Sequence, residues 1–204
     1  MTFVRYCTGG LVAAALAPAA LAGVVYNEAV NGDLSNLGTA TTFVGVAAGS
    51  NTVLGSTGNP GTGVDRDYFS ITVPTGFRLE SLTVLAGTST LGNLSFLGIQ
   101  TGPQVTVLPT SGSPAGLLGW AHYSTSDIGS NILPQIGIGP GASGFSGFLG
   151  AGTYSFWVQD TGTGTSNYGF ALVLGAVPEP APALLLLAGG LLLAWRRFGM
   201  RSPA

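Results

Sequence analysis

Gly152-Thr153-Tyr154-Ser155-Phe156-Trp157-Val158-Gln159 is followed, after a short break, by Tyr168-Gly169-Phe170-Ala171-Leu172-Val173-Leu174. In an extended chain successive side chains point to opposite faces. Tyr154, Phe156 and Val158 therefore share one face of the first stretch, and Tyr168, Phe170, Leu172 and Leu174 share one face of the second. A period of two over seven or eight residues is the mark of a half-buried strand. Between the stretches lies Asp160-Thr161-Gly162-Thr163-Gly164-Thr165, which is rich in turn formers. The pair reads as the C-terminal hairpin of an antiparallel sheet.

Working outward, seven more short apolar runs are separated by Gly, Pro, Ser, Thr and Asn, at 42–47, 51–54, 68–73, 77–85, 94–100, 105–108 and 119–123. In 77–85 the alternation shifts around Glu80-Ser81, which predicts a β-bulge. No window sustains a 3.6-residue period. Many short strands without intervening helices predict an all-β fold, an antiparallel, jelly-roll-like β-sandwich over residues 23–176. Ser111-Gly112-Ser113-Pro114 and 137–150 read as long glycine-rich loops, so 109–150 is the least regular part.

Composition narrows the function. Glycine supplies 34 of 204 residues, lysine is absent, and only 7% of residues are charged. An average chain has roughly 7% glycine and about 25% charged residues. A nucleic-acid partner would require a basic patch, and none exists. At 46% hydrophobic the chain is too apolar to be disordered.

The two ends carry export signals. Residues 1–22 read as a signal peptide, expected as a helix. Arg5 precedes an apolar run, Pro18 breaks it, and the small residues Ala20 and Ala22 set up cleavage before Gly23. Cys7 is the only cysteine, so the mature chain has no thiol for disulfides, catalysis or metal. At the other end, 177–204 divides into three parts. Val177-Pro178-Glu179-Pro180 is held extended by its prolines. Residues 183–195 are apolar and predict a transmembrane helix, although thirteen residues span only about 20 Å of a ~30 Å hydrocarbon core. Trp195, Arg196, Arg197 and Arg201 then flank the membrane, and the positive-inside rule leaves 23–177 outside the cell membrane. That ectodomain has two arginines against seven acidic residues, a net charge of −5.

The order Pro-Glu-Pro, apolar run, arginine cluster resembles the PEP-CTERM sorting signal of Gram-negative bacteria. The resemblance implies an inner-membrane-anchored precursor recognised by an exosortase, with Val177, Pro178, Glu179 and Pro180 as the sorting motif, and signal peptidase as the other processing partner. It implies a cell-surface or extracellular destination and an association with exopolysaccharide and biofilm. Within the ectodomain, Asp65-Arg66-Asp67-Tyr68-Phe69-Ser70-Ile71-Thr72-Val73-Pro74-Thr75-Gly76 and Leu149-Gly150-Ala151-Gly152-Thr153-Tyr154 resemble the bacterial pre-peptidase C-terminal domain, a small secreted β-sandwich. That family implies a binding or folding module, some members of which hold calcium at the corresponding positions.

Asp65 and Asp67 face the same way if the chain there is extended. With Glu28, Asn31 and Asp33 they offer oxygen ligands of the kind calcium takes, six to eight at 2.3–2.6 Å. The same residues also fit a solvated strand entrance with Arg66 paired to a carboxylate. His122 is the sole histidine, and no Gly-x-Ser-x-Gly elbow occurs. Zinc is disfavoured for want of ligands. Glycoside hydrolysis would need two carboxylates at a set separation, and the ectodomain has only Glu28 and Glu80 as glutamates. Trp120, Trp157, Tyr123 and Tyr154 fit either a buried core or a sugar-stacking platform. The expectation is a non-enzymatic exported protein, structural or adhesive, with no cofactor beyond calcium. A carbohydrate-binding module and, further off, a secreted hydrolase are the rivals.

Overall fold

The computed structural model describes residues 23–178 except Asn93, together with Gly190. The readings that concern Ala20, Ala22, Glu179, Pro180, Trp195, Arg196, Arg197 and Arg201 lie outside the described residues. Among the described residues no helix is long and apolar enough to cross a membrane.

Nine strands make two sheets. They are β1 (Gly23–Asn27), β2 (Thr42–Phe43), β3 (Gly49–Asn59), β4 (Arg66–Val73), β5 (Phe77–Val84), β6 (Ser95–Thr101), β7 (Gly119–Tyr123), β8 (Gly152–Gln159) and β9 (Gly164–Ala176). Two short helices, α1 (Glu28–Asn31) and α2 (Leu133–Gly137), sit in the connections. One sheet has the order β1-β3-β9-β5 and the other β2-β4-β8-β6-β7. The alternating side chains explain the stacking. Phe69, Ile71, Leu97 and Phe156 of the larger sheet and Val53, Leu82, Phe170 and Leu172 of the smaller are all buried in one cluster. Each such side chain removed from water contributes about 1.5–3 kcal/mol. Phe69 and Phe156 are register partners on β4 and β8, and their rings stack 4.8 Å apart.

Three of the antiparallel pairs are nested in chain order. β3 pairs with β9 over eleven positions, β4 with β8 over eight, and β6 with β7 over five, each antiparallel and nested inside the last. Between the second and third pairs, β5 meets the segment around Asn131 through an isolated antiparallel bridge from Thr83.

Several expectations are corrected. β8 and β9 do not form a hairpin. They lie in opposite sheets, and their apolar faces meet across the core. A period of two shows which side of a strand is buried, but two strands facing each other bury the same sides as two lying side by side. The sheets are also mixed rather than purely antiparallel, because β1 runs parallel to β3 and β2 parallel to β4. The expected strand at 105–108 is a loop. Val105 is buried, but its N–H bonds to Gly38 O instead of to a ladder. The run at 42–47 is strand only at Thr42–Phe43, whereas that at 51–54 extends to Gly49–Asn59. The bulge is present, with the β5–β9 register slipping between Leu79 and Ser81. Residues 109–150 contain β7, a 3-10 turn at Thr125–Asp127, and α2, whose Leu133 and Ile136 enter the core.

Candidate cation site

Asp67 is the second residue of β4 and points inward, in phase with Phe69 and Ile71. It is 0% exposed. Its Oδ2 accepts a hydrogen bond from the Tyr168 hydroxyl of β9 at 2.7 Å, while Oδ1 has no hydrogen-bond partner among the described residues. Tyr168 can lie there because its register partner is Gly55, where a Cβ would collide with the Tyr168 ring.

The turn after β1 brings two more carboxylates to the same place. Asn27 caps α1 by accepting from the N–H of Ala29, and Gly32 ends the helix with φ of 91°, a conformation that favours glycine. That reversal returns the chain so that Glu28, Asp33 and Asp67 each offer a carboxylate oxygen within 4.8 Å of the others. Glu28 is pinned in place. Its Oε1 accepts from Leu34 N at 3.0 Å and its Oε2 from Ser56 N at 2.6 Å. Asp33 is exposed, and a cavity of about 560 Å³ opens beside the group, lined by Glu28, Asp33, Ser56, Asn167 and Tyr168 among others.

The electrostatics call for a positive charge. Burial, then the nearby Glu28 charge, pushes the Asp67 carboxyl up to about 9, against the pull of the Tyr168 hydrogen bond. Burial also raises Glu28, and its two backbone hydrogen bonds pull the other way. Neither Arg66 nor Arg78 supplies the compensation. Arg66 points to the other face of β4 and donates from Nε to Gln159 Oε1 at 3.0 Å, so the pairing of Arg66 with a carboxylate is not formed. Arg78 pairs with Glu80 at 2.9 Å.

Of the five residues expected to hold calcium, three converge. Asn31 instead accepts from the N–H of Asn27 at 2.9 Å, as part of the α1 turn. Asp65 stands outside the triad and adds to the negative field at Asp67. Ser56 and Tyr168 are not among the site residues that the sequence singles out. Tyr168 carried one signal, since a tyrosine at a buried strand position needs a partner for its hydroxyl. Nothing local marked Ser56, which is 28 residues from Glu28.

The arrangement at His122 differs from a catalytic triad. His122 Nδ1 lies 3.3 Å from the backbone oxygen of Ser95, while the Ser95 hydroxyl donates to Asp160 Oδ2 at 2.8 Å. The imidazole therefore meets a carbonyl and not a nucleophile.

Comparison with protein-family models, with curated proteins and with solved structures finds no match.

Proposed function

We propose that the chain is an exported cell-surface or matrix protein, a jelly-roll-like sandwich without catalytic function, held in shape by a divalent cation of the calcium class. The observation that carries the cation reading is the bare, fully buried Oδ1 of Asp67, on a carboxyl group that converges with those of Glu28 and Asp33. A buried carboxylate oxygen with no donor is costly unless a proton or a metal meets it. Glu28, Asp33 and Asp67 would hold the ion, with the cavity leaving room for water to complete the shell. The ion would neutralise the carboxylates and tie the β1–α1 turn to β4.

Export and sorting rest on the two ends of the chain. β1 begins at Gly23, and Val177 N–H bonds to Gly76 O at 2.8 Å, so the strands occupy the stretch between the two expected processing regions. Cutting before Gly23 and beyond Val177 would sever none of the described strands. The nested pairing of β3–β9, β4–β8 and β6–β7 supports the jelly-roll description.

The test is thermal unfolding of the full chain in calcium and in EDTA, joined to the intact mass of the protein from envelope and medium. At a hundredfold excess over Kd, calcium should add about 2.7 kcal/mol, a rise of roughly 5–10 °C for a chain this size. The mass should lack residues 1–22 and the tail beyond the Pro-Glu-Pro region, the latter only where an exosortase is active. Unchanged unfolding sinks the cation reading. Retention of Arg196–Ala204 with an active exosortase sinks the sorting reading.

A further inference from the structure

The outer face of the five-stranded sheet carries an aromatic pocket, on the other side of that sheet from the inward-pointing Asp67. Gly98 of β6 is the register partner of Trp120 on β7 and of Trp157 on β8. Two indoles thus flank a position with no side chain, on strands about 4.8 Å to either side. Phe96 leans into that notch, since a Cβ on Gly98 would meet its ring at 3.1 Å. The Phe96 ring lies at 24° to Trp120 and edge-on to Trp157, 4.8 Å away. The connection between β6 and β7 folds back over this face and walls a cavity of about 210 Å³ with Leu108, Ser111 and Ser113.

Its polar groups are few and specific. Trp157 is 5% exposed, and its Nε1 is buried with no acceptor. Gln159 gives its Oε1 to Arg66, and its Nε2 makes no hydrogen bond among the described residues. Trp120 fixes its own edge by donating from Nε1 to Pro140 O at 3.0 Å, which holds the ring plane in position. His122 is exposed at the rim, 5.4 Å from Trp120. No carboxylate, lysine or arginine lines the cavity.

We infer that this pocket binds one ring of a neutral polysaccharide, with Phe96 and Trp120 against the ring face and Gln159 and the serine hydroxyls toward its oxygens. Axial C–H groups of a sugar ring carry partial positive charge and lie well against the negative face of an aromatic ring. Sugar hydroxyls supply the acceptor that the idle Gln159 Nε2 lacks. A purely apolar ligand would leave that donor unmet. A charged ligand would find no carboxylate, lysine or arginine in the lining. Small-molecule sites combine these features, apolar walls with a few placed polar groups.

The test is two-dimensional N–H NMR of the full chain in a non-glycosidic detergent and EDTA, with the indole signals assigned by substitution. Cellohexaose, laminarihexaose and mannohexaose are titrated to about 10 mM, a range that detects even millimolar affinity, with polygalacturonate as the charged comparison. At least one neutral hexamer should shift the Trp120 and Trp157 indole signals, while polygalacturonate shifts neither. Trp120→Ala should weaken binding at least tenfold while leaving the calcium-dependent rise in thermal midpoint intact. No shift with any neutral hexamer, an equal response to polygalacturonate, or undiminished binding by Trp120→Ala would each overturn the inference. EDTA separates this outcome from the cation site.

Discussion

Asp67 shows how one residue couples the fold to solution conditions. Its carboxyl titrates near 9 in the folded chain, against 3.8 for an ordinary aspartate. The folded state therefore holds a proton that the unfolded state releases. The stability linked to this group is complete below pH 4 and is lost as pH rises toward 9. Asp67→Asn keeps an acceptor for Tyr168 and presents an amide donor toward Glu28. In EDTA it should remove much of the decline between pH 5 and 9, and at pH 8 it should unfold at a higher temperature than the parent. Calcium should no longer stabilise it. Calorimetry from pH 5 to 9 reads all of these together, and a variant that calcium still stabilises would place the ion elsewhere. In the parent, binding expels the proton, so apparent calcium affinity should rise about tenfold per pH unit between pH 6 and 8.

The connection between β8 and β9 decides the topology at the scale of elements, and Asp160 organises it. Its Oδ1 accepts from Gly162 N at 2.8 Å, and its Oδ2 accepts from Leu91 N and from the Ser95 hydroxyl, each at 2.8 Å. One buried carboxylate thus ties the crossing chain to the segment leading into β6. Asp160→Ala would leave three donors without their acceptor, at a cost of about 3 kcal/mol. Asp127 makes a comparable set of contacts with Ser124, but only within a local capping box on a surface turn. Asp127→Ala should cost about 1 kcal/mol. Urea unfolding of the two variants separates them, and equal losses would mean that the crossing does not depend on Asp160. The bulge at Glu80 was legible in the sequence because a single shift of alternation requires it. The partner sheet of each strand was not.

For the whole molecule, the longest strand pairing joins β3 to β9, the last strand among the described residues. β3 and β9 are joined only after the intervening hundred or so residues have been arranged, and loop closure must precede the reward of contact. Refolding should therefore fall in the millisecond-to-second range typical of all-β folds with distant pairings. Stopped-flow tryptophan fluorescence measures it through Trp120 and Trp157. Microsecond refolding would mean that the outer pair is not needed for the barrier.

The sequence by itself placed Tyr154, Phe156, Phe170 and Leu172 in the core where they lie, because alternation is a local property, but it did not foresee that Ser155 and Trp157 on the opposite face of β8 are buried as well. It also determined the all-β class, through the absence of any helical period, and it singled out the acidic residues from which the candidate site is drawn. Only the tertiary structure decided that β8 and β9 face each other instead of pairing, because both arrangements bury the same faces. Only it selected Glu28, Asp33 and Asp67 from the five candidates, because convergence depends on the turn at Gly32 and on a tyrosine 101 residues from Asp67. The aromatic pocket likewise exists only where three strands set Trp120, Gly98 and Trp157 in one row. Local patterning acts over a few residues, whereas a site is made by residues that meet only after the chain has closed.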